Sequence, residues 1–213
     1  MVTGALRLTE IPDGLDWDRR EILRYALPGG GDAEALPLEE CLRLAAGAGS
    51  GRVLWRIEPV NLPDAGDKVS VGPLTLPSRD LKRALAGCGY AVALAATLGM
   101  EMDRLIARYR RISPVRALLL HAIGAERIER ALDVFSAGLS RELAPEGLTL
   151  RPRFSPGYGD LPLAVQPQLF ALLDCERRLG LTLSQSLTMT PSKSVTALAG
   201  IRPAGEGKGE QST

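Results

Sequence analysis

Histidine occurs once in this chain and cysteine three times, with no two cysteines at a metal-binding spacing. That scarcity argues against a zinc or iron–sulfur centre, because such sites need clustered nitrogen and sulfur donors. His121 stands in the apolar segment Leu118-Leu119-Leu120-His121-Ala122. There it reads as a packed or partner-bonded ring rather than a general base. Cys41, Cys88 and Cys175 read as reduced, buried thiols of a cytoplasmic protein. No apolar run reaches eighteen residues, so no membrane span is expected. Met1 to Pro12 lacks a basic region followed by an apolar stretch, so no secretion signal is expected either. Basic residues number 26 and acidic 25, and this balance gives no support to a nucleic-acid partner. Neither a phosphate-binding Gly-x-x-x-x-Gly-Lys nor a dinucleotide glycine fingerprint occurs. Gly29-Gly30-Gly31 follows no strand pattern and reads as a linker.

The chain is long enough for one sizeable core, and residues 1–202 read as a single domain followed by a disordered tail, 203–213. Met1 to Leu15 carry little pattern. Asp16 is the expected cap of a helix to about Tyr25, and a second helix is expected from Pro37 to about Ala46. From Arg52 the period changes to alternation, with Val53, Trp55 and Ile57 facing one way. Val69 to Leu76 predicts a hairpin turning at Gly72-Pro73, and Ser78 the cap of a helix to about Ala86. Ala91 to Ala96 predicts a buried strand and Met100 to Arg110 a helix. Ser113-Pro114 opens the longest helical pattern, whose stripe is Leu119, Ile123, Ile128, Leu132, Phe135 and Leu139. Gly124 marks a close-packing point on it. A short strand is expected over Leu148 to Pro152, a helix from Leu163 to Leu179 with Pro167 in its first turn, and strand material at 181–183, 187–189 and 195–199. Helices and hairpin-like strands that do not strictly alternate predict an α+β fold, a mixed or antiparallel sheet with several packed helices.

One stretch concentrates chemistry. Arg153-Phe154-Ser155-Pro156-Gly157-Tyr158-Gly159-Asp160 combines a permanent cation, two glycines, a proline and a tyrosine. Proline fixes its own φ and pushes Ser155 toward an extended conformation, and the glycines permit φ > 0 or a close approach to bare backbone. This predicts a rigid loop with exposed amides and an arginine at its entrance, suited to a carboxylate or phosphate. The plain alternative is a tight turn with Arg153 in a surface salt bridge.

This stretch resembles the Arg-x-x-Pro-Gly-Tyr loop of the reactivation domain of cobalamin-dependent methionine synthase. Downstream, Leu172-Leu173-Asp174-Cys175-Glu176, Leu179-Gly180-Leu181-Thr182-Leu183-Ser184-Gln185-Ser186 and Pro191-Ser192-Lys193-Ser194-Val195 are similar to successive motifs of the same domain. The likeness covers Arg153 to Ile201, is thinner upstream, and best fits a short, free-standing version.

The resemblance implies that domain's fold and S-adenosylmethionine as ligand. It implies a partner as well: a cobalamin-carrying methionine synthase or other corrinoid protein, with a flavodoxin-like electron donor. The chain would then act in methionine biosynthesis only together with that partner, supporting reductive methylation of its cobalamin. Carried over by position, Arg153 would pair with the methionine carboxylate, and Ser155, Gly157 and Tyr158 would contact ligand. Glu129 would take an amino or hydroxyl group, unless it is an ordinary exposed helix charge. Two features depart from the family: Ala197-Leu198-Ala199-Gly200 stands where an aromatic wall is found, and Asp16 is the nearest counterpart of an amino-terminal aspartate. Lys193 is also unlike the fused form, and is expected to cap its turn. A second reading is a module that caps or escorts a corrinoid protein without methyl transfer, and a third is a domain whose loop binds another carboxylate or nucleotide.

Overall fold

A computed structural model of the chain describes residues 3–48 and 50–205. The amino-terminal stretch, patternless in sequence, contains a strand, β1 (Arg7–Ile11). It runs antiparallel to the first half of β2 (Gly51–Asn61), with Arg7 opposite Trp55 and Ile11 opposite Gly51. Its inward side carries Arg7 and Thr9 before the buried Ile11: Thr9 Oγ1 accepts from Trp55 Nε1 at 3.0 Å, while Leu8 is exposed. That inversion hides the two-residue period.

Helix α1 (Arg19–Ala26) is capped by Asp18, whose carboxylate accepts from the Glu21 N–H at 3.0 Å, and not by the expected Asp16, which is exposed. The later start has a cause in the segment before it. Arg127 lies 3.4 Å over the Trp17 ring and donates to the carbonyls of Asp13 and Leu15, while Glu126 Oε1 accepts the Asp18 N–H. These tethers hold residues 14–18 outside the helix. Helix α2 (Leu38–Ala45) falls where expected.

The hairpin β3 (Lys68–Val71) and β4 (Leu74–Pro77) forms over Gly72-Pro73 and pairs with the far end of β2. Ser78 caps α3 (Arg79–Ala84), its hydroxyl accepting from the Leu81 N–H at 2.9 Å. The alanine-rich β5 (Tyr90–Thr97) is the expected buried strand, and small side chains let it take packing on both faces. Helices α4 (Met100–Ile112) and α5 (Pro114–Leu143) follow, the latter capped by Ser113. Strands β6 (Leu148–Phe154) and, at the end of the chain, β9 (Ser194–Pro203) complete the sheet. Among the described residues seven strands form it in the order β4-β3-β2-β5-β9-β6, with β1 sharing an edge of β2. Every pairing is antiparallel, so the fold is α+β.

At 30 residues, α5 spans about 45 Å and serves two cores. Its first half packs Leu119, Leu120 and Ile123 against Ile22 of α1, Leu42 of α2 and Ile106 of α4. Its second half lays Ile128, Leu132 and Phe135 on Val53, Trp55 and Leu94 of the sheet. The sheet's other face buries Leu81, Leu169, Leu173 and Leu198. Each fully buried aliphatic contributes about 1.5–3 kcal/mol.

The helix expected over Leu163 to Leu179 is broken. A single 3₁₀ turn (Leu163–Val165) leads into α6 (Gln166–Leu173), and α7 (Cys175–Leu179) follows a left-handed Asp174 with φ of 54°. Aspartate tolerates that conformation, and here its carboxylate accepts from Arg177 Nε at 2.7 Å. Strands β7 (Thr182–Leu183) and β8 (Met189–Thr190) make a separate small ladder. At the carboxyl end, Pro203, expected to open the tail, still pairs with Leu148, and the Ala204 N–H bonds Gly147 O at 2.7 Å, so both belong to the sheet's end. The rest of the segment expected as a tail, 206–213, lies outside the described residues. The three cysteines are free and buried, and burial pushes the Cys175 thiol up to about 12.

Candidate functional site

The expected entrance of the loop is in fact strand. β6 runs through Phe154, and its register against β9 shifts between Leu150 and Arg153. Beyond the shift Arg153 stands opposite Ala199 and faces α5. On α5, Glu129, Asp133 and Ser136 recur at the i, i+4, i+7 spacing that puts them on one face. Arg153 NH2 donates to Glu129 Oε2 at 3.1 Å and to Asp133 Oδ1 at 3.0 Å, and NH1 donates to Ser136 Oγ at 3.1 Å. Ser136 Oγ in turn donates to Leu132 O at 2.8 Å, which fixes the hydroxyl. The arginine side chain is 21% exposed and Glu129 46%, so the cation lies deeper than its acid.

Around this cluster is a cleft of about 400 Å³, lined by Glu129, Asp133, Pro152, Arg153, Ser155 and Val195. Its volume falls within the range of small-ligand sites. Two carboxylates against one guanidinium leave it with net negative charge. Such a site favours a ligand carrying an amine or another positive centre, and three of the five Arg153 N–H donors are already engaged by α5.

Of the predicted contact residues, Glu129, Arg153 and Ser155 meet in the cleft, whereas Gly157 and Tyr158 do not line it. Nor are the amides of Gly157 and Tyr158 exposed donors. The Gly157 N–H donates to Leu161 O at 2.8 Å, Tyr158 N–H to Ser155 O at 3.1 Å and Leu161 N–H to Tyr158 O at 3.1 Å. The loop closes on itself because Gly157 and Gly159 take φ of 87° and 54°, which turn the backbone inward. Gly159 has a second constraint, since a Cβ there would meet Asp80 Oδ2 at 2.4 Å. Tyr158 is 70% exposed, its ring edge-on to Phe154 with centroids 5.6 Å apart.

Asp133, Pro152 and Val195 were not among the predicted contacts. The signal for Asp133 lies in the sequence, four residues after Glu129 on a helix. Val195 and Pro152 become neighbours only through the β6–β9 register. Ala197-Leu198-Ala199-Gly200, in place of the family's aromatic wall, is buried strand, and a Cβ on Gly200 would strike Cys88 Sγ at 2.5 Å.

Lys193 was expected to cap its turn, but its side chain runs to α5 and Ser194 Oγ donates to the turn's Pro191 O instead. The lysine is 5% exposed, its stem lies over Gly124 of α5, and Nζ is 3.1 Å from Nδ1 of the exposed His121. Burial lowers the lysine to about 8. The histidine is lowered too, first by burial and then by Lys193 and Arg110. Its ring is thus partner-bonded, as expected, while lying at the surface. Among the described residues no group of three or more His, Cys, Asp or Glu side chains is placed to hold a metal, and no helix is long and apolar enough to cross a membrane.

No family model and no curated protein matches the chain. Its fold is nevertheless similar to a solved crystal structure, the MetH reactivation domain bound to AdoHcy. That match has a TM-score of 0.65 and covers 98% of this chain and 80% of the other, at 14% identity. The fold is that of the MetH reactivation domain.

Proposed function

We propose that the chain binds S-adenosylmethionine in the Glu129–Asp133–Arg153 cleft and acts as a free-standing reactivation subunit for a methionine synthase that lacks such a domain. The observation that supports this most is the convergence of Glu129, Arg153 and Ser155 on one cleft, in a fold whose solved counterpart holds AdoHcy. The residues fit the ligand's charges. The acidic excess suits the ammonium and sulfonium, and Arg153 suits the carboxylate once Glu129 or Asp133 turns to the amine. When bound, S-adenosylmethionine supplies an electrophilic methyl group. The protein's own work is binding and orientation: Glu129 and Asp133 hold the cationic end, Arg153 the carboxylate, and Pro152 and Val195 give the cleft its apolar lining. The cobalamin belongs to a corrinoid partner, and a flavodoxin-like protein is the electron donor.

One observation favours the escort reading, in which the module covers a corrinoid protein without methyl transfer. Arg153 is held by three intramolecular partners, as a purely structural residue would be. The two readings separate in one assay. Purified protein is mixed with a cobalamin-loaded methionine synthase truncated before its own reactivation domain, a reductant and S-adenosylmethionine, and methylcobalamin is followed by absorbance. Methylation that requires both this chain and Glu129 supports reactivation. Complex formation without methylation supports the escort.

A further inference from the structure

Between Asp103 and Glu126 the chain carries five arginines and no acid, although the whole chain is nearly neutral. The excess gathers around the corner where α4 meets α5 at Ser113. Arg104 pairs with Glu101, and Arg116 with Glu40. The exposed Arg108, Arg110 and Arg111 make no ion pair among the described residues, and Arg108 stands 6.0 Å from the ring of adjacent Tyr109.

Three large aliphatics stand in the open at the same corner. Ile112, which ends α4, is 61% exposed, and Val115 and Leu118, on the first turns of α5, are each 46% exposed. Val115 and Leu118 are neighbours at i, i+3. On α4, Arg108 lies one turn before Ile112 and three residues before Arg111, so cations flank the aliphatic. A single exposed aliphatic is ordinary, but a group of them beside unpaired cations marks a contact surface. Arg108 also borders a recess of about 320 Å³ walled by Leu44 and Leu105, whose one acid, Glu101, is already held by Arg104. A partner's carboxylate side chain fits such a recess, its stem on the leucines and its charge on Arg108.

The corner is in line with the cleft. Leu118, His121, Ala125 and Glu129 follow at spacings of three or four residues on one face of α5, and none of them is buried. About 16 Å of helix separates Leu118 from Glu129, a distance that one ordinary protein interface covers.

We propose that the Ile112–Val115–Leu118 ridge, with Arg108 and Arg111, docks a protein whose contact surface has an apolar centre and an acidic rim. On the function proposed above, on which this part rests, that protein is the corrinoid partner, and seated on the ridge it overhangs Glu129. The aliphatics supply the desolvated centre of the contact, and the arginines its orientation and its salt-dependent approach. The recess and the continuity with the cleft favour a protein over a lipid surface, which has no side chain to fill the one and no cofactor to face the other.

The test measures binding to a cobalamin-loaded methionine synthase truncated before its own reactivation domain, by biolayer interferometry at low and high salt. Leu118→Asp is expected to weaken the complex about tenfold or more, with Leu118→Ser in its place if the aspartate variant does not fold. The double variant Arg108→Glu, Arg111→Glu is expected to weaken it about tenfold at low salt and to flatten its salt dependence. Calorimetric affinity for S-adenosylmethionine should stay unchanged in every variant, since none of these residues lines the cleft. Wild-type affinity in the folded variants, or no complex with the synthase, overturns the surface. Two other results also overturn it. A dimer in sedimentation that is lost in Leu118→Asp gives the ridge to a second copy of this chain. Flotation with phosphatidylserine vesicles that is lost in the arginine variant gives it to a membrane. The surface fails alone when S-adenosylmethionine binds and the variants keep the partner, whereas a wild type that binds no S-adenosylmethionine is a failure of the cleft.

Discussion

Asp80 and Asp160 each accept the other's backbone N–H: Asp80 N–H donates to Asp160 Oδ1, and Asp160 N–H to Asp80 Oδ2, both at 3.2 Å. The Asp160 carboxylate also accepts the Arg79 N–H at 2.9 Å and the Ser78 hydroxyl. The far end of the loop that begins at Ser155 is thus built into the amino terminus of α3. One end of this segment rests in the sheet and the other on a helix, and Ser155 is held between them.

Asp160→Asn is expected to lower the melting temperature at neutral pH and to loosen the loop. The Ser78 hydroxyl first, then the Arg79 and Asp80 N–H groups, holds the Asp160 carboxyl below the usual range. A folded-state value below the unfolded one, about 3.9, means its stabilisation is present above that pH and fades as pH falls through the folded value. The gap between wild type and variant should therefore be constant above about pH 5 and close at more acid pH. A gap that persists unchanged at pH 2 contradicts the assignment.

Gly124→Ala tests the seat of Lys193. The added methyl would lie 2.9 Å from Lys193 Cε and 3.0 Å from Met102 Cγ. Overpacking of this kind costs about 1–3 kcal/mol. Urea denaturation should show that loss, and most of it should be recovered in the double variant with Lys193→Ala, since the lysine stem gives way. Strictly additive effects would mean that the two positions do not touch.

Lys193 also predicts a pH dependence at the alkaline end. Its folded-state value of about 8 lies below the ordinary 10.5 because burial disfavours the ammonium. Between those values the unfolded chain holds more protons than the folded one, so this group makes stability rise with pH. Lys193→Met should be more stable than wild type at pH 7, by on the order of 3 kcal/mol, and the advantage should shrink toward pH 10. Equal stability of the two proteins at both pH values would contradict the buried ammonium.

The fold was legible where a period or a cap decided it. Ser78 and Ser113 cap the helices that follow them, the hairpin turns at Gly72-Pro73, and the apolar stripe of α5 is buried along its length. Failures came where tertiary contacts override local pattern. Thr9 inside and Leu8 outside disguise β1, and the grip of Arg127 on Trp17 moves the α1 cap from Asp16 to Asp18. Left-handed Asp174 breaks a helix whose apolar spacing runs on. In the cleft, the composition of the loop pointed to Arg153, the family resemblance to Ser155 and Glu129, and helix spacing would have added Asp133. The inward amides of Gly157 and Tyr158, and the arrival of Val195, depend on positive φ values and a strand register that spacing does not encode.

The most direct test of the account is calorimetric titration of the protein with S-adenosylmethionine, with adenosine as the control, in wild type and Arg153→Ala. The account predicts micromolar binding by wild type that needs the methionine portion. In the variant it predicts at least tenfold weaker binding, about 1.4 kcal/mol, with the circular dichroism spectrum unchanged. No heat at millimolar ligand, or equal affinity in the folded variant, would contradict it.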